Sequence, residues 1–399
     1  MKILLLCNKS PFPPKEGGPI VMHAMIKGLH KAGHDVKVIA MNTNKYHVEP
    51  GDLPEEFLEM SKIEYVDIDL SVTPVKALAN LFSKRSLHVS RFESEAFKQK
   101  IKEVLRKERF DIIQLELLYM TPYLDVIRQY SDAPVVLRSH NIEYRIWERI
   151  TANTRNPLKR YYLNMLTKRL KKYETVTMHL FDGIIPISKV DANFYLEHGF
   201  NKPVKDISFV IDLSQYRPHK NDDFPSLFHL GVMNWMPNEE GIQWFLDHVW
   251  PKVHAMFPTL KLYLAGRSMP AWLSELDMAN VEVVGEVEDA QEFMLSKSVM
   301  IVPLFSGSGI RIKIIEGMAL SKAIISTTIG AEGINHTHGS DILIADTPQE
   351  FIEAIATCVN NRSLCLKMGT NARALIEQDF NYGRLIGRLE AFYREVMKN

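Results

Sequence analysis

Short apolar runs alternate with amphipathic stretches along the whole chain, and this alternation predicts an α/β protein. The runs in the first half predict strands at Lys2–Asn8, Asp35–Asn42, Ile63–Leu70, Asp111–Leu118, Pro134–Ser139 and Gly183–Ser188. The same pattern restarts in the second half, with strands at Leu227–Met233, Leu260–Gly266, Val281–Val287, Val299–Leu304, Ala323–Ile329 and Asp341–Ala345. The stretches between them have helical periodicity, as in Pro19–Ala32 and Glu239–Ala255. Strands that alternate with helices build parallel sheets, so two successive doubly wound domains are predicted.

The stretch 303–334 concentrates the candidate chemistry. A buried strand is followed by a loop of small residues that includes Ser308 and Gly309, and a helix then starts near Ile312. Glycines let a ligand approach the backbone closely, and a helix start favours phosphate through its N–H groups and dipole. Arg311 and Lys313 add two positive charges at the same helix start. The pattern therefore predicts a phosphate site.

Glu316 lies about one turn into this helix and is an acceptor that could hold ribose hydroxyls. Phosphate and ribose together indicate a nucleotide diphosphate. The plain alternative is that the small residues only form a turn and that the two cations are solvated.

Two further stretches carry candidate ligand contacts in the first half. Gly17 and Gly18 precede the first predicted helix, where they could approach a sugar or phosphate or simply form a turn. Their loop lacks the Gly-x-Gly-x-x-Gly spacing of dinucleotide sites. His140 and Glu143 follow the predicted strand Pro134–Ser139, and open α/β sheets bind ligands beyond the carboxyl ends of their strands. A structural role for either side chain is the alternative.

The segment 299–334, together with the His-Asn-x-Glu stretch at 140–143, resembles glycosyltransferase family 4, the retaining nucleotide-sugar transferases of GT-B fold. The resemblance implies two Rossmann-like domains that face a central cleft. We assign residues 1–212 to an N-terminal acceptor-side domain, 213–380 to a C-terminal nucleotide-sugar domain, and 381–399 to a helix that crosses back to the N-domain. It also implies that His140 bonds a hydroxyl of the transferred sugar and that Arg311 and Lys313 stabilise the leaving nucleotide.

The sequence departs from the family pattern at two places. The first of the two family glutamates falls on Ser308, and only the second is matched, by Glu316. The chain looks like the branch in which a Gly/Ser loop and Arg-x-Lys replace the first glutamate. The loop that begins at Asn234 also lacks the basic residue that many members place there, which makes Arg311 and Lys313 the natural replacement. Asn234 and Arg267 remain candidate contacts for the nucleotide sugar.

The composition of the chain excludes some classes of partner and indicates a cell compartment. The 399 residues include 48 basic and 48 acidic side chains, and a zero net charge argues against a general nucleic-acid binder. Three scattered cysteines make no disulfide framework or zinc spacing, which predicts a reducing cytosol. The apolar run at the N-terminus is shorter than a signal peptide or a membrane span requires. The partners that the resemblance implies are a UDP- or GDP-sugar and a glycan or lipid-linked acceptor.

Two further stretches bear on metal binding and membrane binding. Asp67 and Asp69 form an Asp-x-Asp pair, the metal clamp of another glycosyltransferase fold, but they alternate along a predicted strand and are expected to be solvated. The resemblance implies that protein cations stabilise the leaving group, so no metal is expected to be needed. The basic helix at 154–179 is expected to pack on the N-domain, and a peripheral contact with the inner membrane face is the alternative.

The resemblance implies sugar transfer to a hydroxyl acceptor during assembly of cell-surface polysaccharide or glycoconjugate. Two other functions stay open. A nucleotide-sugar epimerase of the same fold would be expected to keep further acidic residues, and no clear set is present. A non-catalytic carbohydrate-binding homologue is suggested by Ser308, whereas the joint presence of His140, Arg311, Lys313 and Glu316 argues against it.

Overall fold

A computed structural model describes residues 1–14, 17–44, 47–70, 86–154, 156–208, 211, 213–218, 222–307, 309–380 and 382–398. The chain divides into two compact units. Unit 1 comprises Met1–Ile211 and Tyr382–Asn399, and unit 2 comprises Asp212–Asn381. Each unit contains one six-stranded sheet with helices around it. The predicted α/β class with two Rossmann-like domains is confirmed.

The strands are β1 (Lys2–Cys7), β2 (Asp35–Thr43), β3 (Glu64–Ile68), β4 (Ile112–Glu116), β5 (Val135–Ser139), β6 (Gly183–Pro186), β7 (Asp223–Leu230), β8 (Lys261–Ala265), β9 (Val281–Gly285), β10 (Lys297–Val302), β11 (Ala323–Ser326) and β12 (Leu343–Ile344). The helices are α1 (Gly17–Lys31), α2 (Glu55–Ser61), α3 (Leu87–Ser90), α4 (Glu95–Lys107), α5 (Leu124–Tyr130), α6 (Glu143–Asn153), α7 (Pro157–Thr177), α8 (Lys189–Glu197), α9 (Met236–His248), α10 (Trp250–Met256), α11 (Ala271–Ser274), α12 (Ala290–Leu295), α13 (Ile312–Ala319), α14 (Pro348–Asn360), α15 (Arg362–Asp379) and α16 (Tyr382–Val396). In the described residues, short 3-10 helices lie at Pro50–Asp52, Leu118–Tyr123, Met178–Leu180 and Leu213–Gln215.

The two sheets share one strand order. Unit 1 has the order β3-β2-β1-β4-β5-β6, and unit 2 has β12-β11-β10-β7-β8-β9. All of these strand pairs are parallel. The strand order therefore reverses between β1 and β4 in unit 1, and between β7 and β10 in unit 2. Such switch points leave a crevice beyond the carboxyl ends of the strands, where doubly wound sheets bind ligands.

The final helix, α16, belongs to unit 1 and packs on its first helix and its last strand. A Cβ atom added at Gly28 of α1 would lie 2.5 Å from Ile386, and one added at Gly183 of β6 would lie 2.8 Å from Phe392. Both glycines thus permit a close approach of α16. Tyr393 of this helix is completely buried. The last segment of the chain is therefore part of the core of the unit that contains the N-terminus.

One helix prediction is wrong in detail. The stretch Glu239–Ala255 is two helices, α9 and α10, separated at Val249. Pro251 explains the break, because proline lacks an N–H and its ring clashes with the preceding turn, so it is placed at the start of the second helix.

No helix in the described parts of the chain is both long and apolar enough to cross a membrane. The three cysteines, Cys7, Cys358 and Cys365, are free and buried.

Candidate functional site

The switch point of unit 2 gathers most of the predicted site residues. Strands β7 and β10 are neighbours there, and α9 and α13 are the helices that follow them. Both helices therefore start beyond the carboxyl ends of the central strands. Gly241 of α9 shows how tightly this region is packed, since an added Cβ atom would lie 2.0 Å from the carbonyl oxygen of Pro303.

Arg311 is the residue that precedes α13, and its side chain is almost entirely buried. Its Nη1 donates to the carbonyl oxygen of Gly309 at 2.7 Å, and its guanidinium carbon lies 5.5 Å from the ring centre of Trp235. An added Cβ atom at Gly307 would lie 2.9 Å from Nη2 of Arg311 and 3.1 Å from the ring of Trp235, so the glycine leaves room for both side chains. The guanidinium thus lies beside an aromatic ring at the start of the helix.

Lys313 connects α13 with α9 and β7. Its Nζ donates to Oδ1 of Asn238 at 2.7 Å and lies 3.3 Å from Nε2 of His229. The other ring nitrogen of His229, Nδ1, lies 2.9 Å from the carbonyl oxygen of Ile301. A carbonyl can only accept, so Nδ1 carries the proton and Nε2 accepts from Lys313. Among the described residues, no carboxylate lies within ion-pair distance of this ammonium group.

Burial shifts the pKa values of this lysine and histidine in the same direction. The pKa of Lys313 is held well below its usual range by burial, and the charge of Arg311 acts in the same direction. The pKa of His229 is also held well below its usual range by burial, and Lys313 contributes to that shift. In both cases burial disfavours the charged form of the side chain. An anion bound at this helix start would favour the charged forms.

Glu316 lies on α13 and is half-buried. Its Oε1 accepts a hydrogen bond of 2.9 Å from the hydroxyl of Tyr216. Burial raises the pKa of the Glu316 carboxyl to about 7, and the hydrogen bond from Tyr216 acts in the opposite direction. This carboxyl is an acceptor whose ionisation depends on its surroundings.

The other predicted contacts of unit 2 are placed as follows. Gly309 has a φ of 79°, a backbone conformation that favours glycine. Asn234 is exposed and lies just before α9, and Arg267 follows β8 with a half-buried side chain. The backbone carbonyl of Arg267 accepts from the N–H of Met233 at 2.9 Å, which joins the two loops. Ser308 lies outside the described residues.

In unit 1 the switch point contains a buried chain of polar groups. His140 follows β5, and its Nε2 lies 2.7 Å from Oε2 of Glu116 at the end of β4. Glu116 is fully buried and also accepts from the side chain of Gln114. Gln114 in turn accepts from the hydroxyl of Tyr393 at 2.6 Å. Because an ionised carboxylate only accepts, Nε2 of His140 donates, and the position and tautomer of the ring are set by Glu116.

Glu143 is the first residue of α6 and is almost fully buried. Its carboxyl accepts from the hydroxyl of Tyr119 at 2.6 Å, and burial raises its pKa. The start of α6 is held by Glu174 of α7, whose two oxygens accept from the N–H groups of Glu143 and Tyr144, both at 3.0 Å. Glu174 thus fixes the helix start directly after the loop that carries His140.

Gly17 and Gly18 form the first turn of α1, and an added Cβ atom at Gly18 would lie 2.9 Å from the side chain of Lys9. Of the Asp-x-Asp pair, Asp67 accepts from Asn42 at 2.8 Å, and Asp69 accepts from Asn44 at 3.0 Å. Both aspartates are exposed. Within the described residues there is no group of three or more side chains that could hold a metal ion.

Several residues of both sites were not anticipated from the sequence, namely Glu116, Glu174, Tyr216, His229 and Asn238. A weak signal existed for two of them. Glu116 interrupts an apolar strand, and Glu174 follows Leu170 by one helical turn on the buried stripe of α7. A buried carboxylate needs several hydrogen-bond donors, so an acidic residue at an apolar position indicates a polar network nearby.

Two family models match this chain. A model described as Glycosyltransferase Family 4 matches residues 16–215, and one described as Glycosyl transferases group 1 matches residues 225–361. A protein of Klebsiella pneumoniae, described as an uncharacterized 44.6 kDa protein in cps region, is 24% identical over 398 residues. That alignment covers 95% of this chain and 96% of the relative.

Solved structures match over nearly the full length of the chain. Sucrose-phosphate synthase of Thermosynechococcus elongatus has a TM-score of 0.72 at 14% identity, covering 100% of both chains. HepE of Anabaena, in complex with UDP, has a TM-score of 0.65 at 15% identity, covering 98% of this chain and 99% of that chain. At such identities the likeness shows the fold alone.

Proposed function

Since this chain belongs to glycosyltransferase family 4, we propose that it moves a hexose-type sugar from a nucleotide diphosphate sugar to a hydroxyl acceptor, with retention at the anomeric carbon. The family membership makes it a glycosyltransferase; the donor, the acceptor and the stereochemistry are the proposal. The complexes of HepE with UDP and with UDP-glucose support a uridine or similar nucleotide as the donor carrier.

The observation that carries this proposal is the arrangement of Arg311 and Lys313 at the start of α13. When the glycosyl bond breaks, negative charge grows on the departing diphosphate. The buried guanidinium of Arg311, the ammonium of Lys313 and the positive end of the helix dipole together supply charge of the opposite sign. Lys313 is held by the neutral acceptors Asn238 and His229, and an incoming anion would favour its protonated form against the effect of burial.

The roles of the other residues follow from the same proposal. Glu316 accepts from ribose hydroxyls, and His140, oriented by Glu116, bonds a hydroxyl of the transferred sugar. Asn234, Arg267, Gly309 and Ser308 contribute further contacts with the donor, whereas Gly17, Gly18 and Glu143 contribute in unit 1. The acceptor hydroxyl attacks the anomeric carbon from the face that the nucleotide leaves, and the new glycosidic bond forms as the bond to the diphosphate breaks. The proton of the hydroxyl passes to an oxygen of the departing diphosphate. The two protein cations take the place of a metal ion in this scheme.

The test compares two lysines whose ammonium groups contact neutral acceptors, Lys313 and Lys322. Lys322 is buried, and its Nζ donates to two neutral groups near the start of β10, the carbonyls of Leu295 and Lys297. It therefore lies at the amino ends of the strands, opposite the candidate site. Calorimetric titration with UDP and GDP, in EDTA and in magnesium, is expected to show binding without metal. Lys313→Met is expected to weaken binding more than tenfold, and Lys322→Met to leave it within about twofold.

Incubation with the matching nucleotide sugars and candidate glycans, followed by NMR of the product, then determines the anomeric configuration. Absence of binding to any nucleotide, or equal effects of the two lysine substitutions, would contradict the proposed site. A product with inverted configuration would contradict retention alone.

For the acceptor we propose a glycan or lipid-linked glycan of cell-surface polysaccharide or glycoconjugate assembly, with the chain in the cytoplasm. The start of α7 supports a peripheral membrane contact, because Leu158 and Tyr161 are 82% and 78% exposed beside Lys159 and Arg160. Apolar and basic side chains on one helix surface are suited to an anionic membrane. Co-sedimentation with vesicles containing phosphatidylglycerol should fall for Leu158→Ser/Tyr161→Ser; unchanged sedimentation of this variant would remove the support.

A further inference from the structure

Tyr216 contacts the candidate ribose-binding carboxyl, and its main chain is anchored independently. The hydroxyl donates to Oε1 of Glu316 at 2.9 Å, and the side chain is 8% exposed. The carbonyl oxygen of Tyr216 accepts from Nη1 of Arg373 at 3.0 Å, and that of Leu213 accepts from Nη2 at 3.3 Å. Arg373, on α15, also donates to the carbonyl of Ala319, the last residue of α13. One guanidinium therefore ties the segment around Tyr216 to the helix that carries Glu316.

The base of this arrangement is rigid. Helix α15 approaches the turn after α13 so closely that an added Cβ atom at Gly369 would lie 1.9 Å from the carbonyl oxygen of Ser321. Ser321 itself has a φ of 57°. With both helices and the 213–216 segment held together, the hydroxyl of Tyr216 has a defined position relative to the Glu316 carboxyl.

We propose that Tyr216 is a positioning residue of the donor site, whose hydroxyl fixes one oxygen of the Glu316 carboxylate and leaves the other to accept from a ribose hydroxyl. The inference rests on the proposed function, because that function assigns Glu316 to the ribose. A carboxylate with both oxygens unfixed would rotate and lose its negative charge more readily in this half-buried place. The hydroxyl of Tyr216 opposes the rotation and the loss of charge, because it donates a hydrogen bond to the ionised carboxylate.

The charged groups around Glu316 do not duplicate this role. On its own helix, Lys313 bonds Asn238 and lies against His229, and Arg311 donates to Gly309. On α15, Arg373 bonds main-chain carbonyls and Glu377 rather than Glu316. The hydrogen bond from Tyr216 lowers the pKa of Glu316 against the effect of burial.

Tyr216→Phe tests the proposal, because it removes the hydroxyl and keeps the ring. Without the donor, the pKa of Glu316 rises further above about 7, by about one unit for a hydrogen bond to a charged group. The Kd for UDP or GDP is expressed as the ratio of variant to wild type. This ratio should be about tenfold larger at pH 6 than at pH 9, where Glu316 is ionised in both proteins and the remaining ratio reflects the lost orientation alone. The ratio cancels the titration of every group that the two proteins share.

Tyr263→Phe is the matched control, since its hydroxyl lies 3.1 Å from Oδ2 of Asp223, at the start of β7 and away from the switch point. Its Kd ratio should stay near one at every pH. A Tyr216→Phe ratio that is constant across pH shows a merely structural role and overturns the inference. So does a ratio of one throughout, while the wild type still binds nucleotide and Glu316→Gln weakens binding.

Absence of nucleotide binding by the wild type would overturn the proposed function instead. In that case the pKa of Glu316, followed by carbon-13 NMR of the carboxyl in wild type and Tyr216→Phe, still tests the contact between the two residues without any ligand. An unchanged pKa in the variant overturns the contact.

Discussion

The ammonium group of Lys313 lies 2.7 Å from the amide oxygen of Asn238, and this contact joins α13 to α9 across the point where the strand order of unit 2 reverses. The amide nitrogen of Asn238 donates in turn to the carbonyl of Val232 at 2.9 Å. Asn238 therefore orients the lysine without neutralising it. A carboxylate at this position would make an ion pair and compete with a phosphate for the same cation.

Asn238→Asp is therefore expected to weaken nucleotide binding by more than tenfold, although it favours the protonated lysine. The reason is that the new carboxylate neutralises the positive charge of Lys313, which the diphosphate needs. Calorimetric titration measures the effect. Asn280→Asp is the control, because Asn280 also donates to a main-chain carbonyl, that of Pro258, at an exposed turn. Similar affinities of Asn238→Asp and wild type would contradict the assignment of Lys313 to the diphosphate.

The pair Glu116 and His140 offers a second prediction. A glutamine at 116 places an NH2 group where one carboxylate oxygen was, so either Gln114 loses its acceptor or His140 must change its tautomer. Glu116→Gln should lower kcat by about ten- to a hundredfold, with the donor KM changed much less. Steady-state kinetics with a fixed acceptor measures both.

Glu390→Gln is the matched control for that experiment. Glu390 pairs with His34 at 2.8 Å in the same unit, so the substitution weakens the same kind of contact away from the switch point. Its kcat should equal that of the wild type. A kcat loss of the same size in both variants would point to general destabilisation of unit 1 rather than to His140.

The buried carboxyl of Glu174 is expected to make the stability of the protein depend on pH. Burial raises the pKa of its carboxyl to about 8, above the usual value of 4.5. A raised pKa in the folded state means that the associated stability is present at low pH and is lost as the pH rises through about 8. The melting temperature of the wild type should therefore fall more steeply between pH 6 and pH 9 than that of Glu174→Gln.

Glu350→Gln is the control for this pH series. Glu350 caps α14 at its surface, and hydrogen bonds from the main chain lower its pKa. Its contribution is thus present at every pH above its usual value and is lost only toward acid. The difference from wild type should be constant between pH 6 and pH 9. Parallel curves for wild type and Glu174→Gln would refute the predicted titration.

Two helical glycines should respond to alanine with opposite signs. At Gly241 of α9, the new Cβ would lie 2.0 Å from the carbonyl oxygen of Pro303, so the helix must move, at a cost of about 1–3 kcal/mol. At Gly387 of α16, nothing lies within 4 Å, and alanine should stabilise the helix by about 0.5–1 kcal/mol. Urea unfolding of both variants measures the two changes. A stable Gly241→Ala protein would show that the helix packs less tightly than described.

The fold was predictable from the sequence because its signals are local. The predicted strands lie within a few residues of the observed ones, and the helix predicted from Ile312 runs over Ile312–Ala319. Buried strands reveal themselves as apolar runs, and helices as periodic patterns ended by glycine. Where a local signal was overlooked, the prediction failed, as at Pro251, which starts a new helix in the middle of a periodic stretch.

The sequence by itself determined the α/β class, the repeated doubly wound pattern and the glycine loop with Arg311 and Lys313 at a helix start, because these depend on residues close together in the chain. Only the tertiary structure decided which partners those residues have. His229 reaches Lys313, Tyr216 reaches Glu316, and Glu116 reaches His140. Parallel strands pair across helical crossovers, so the residues that meet at a switch point are far apart in sequence. Burial, which sets the pKa values of Lys313 and Glu316, likewise exists only after the helices have packed on the sheet.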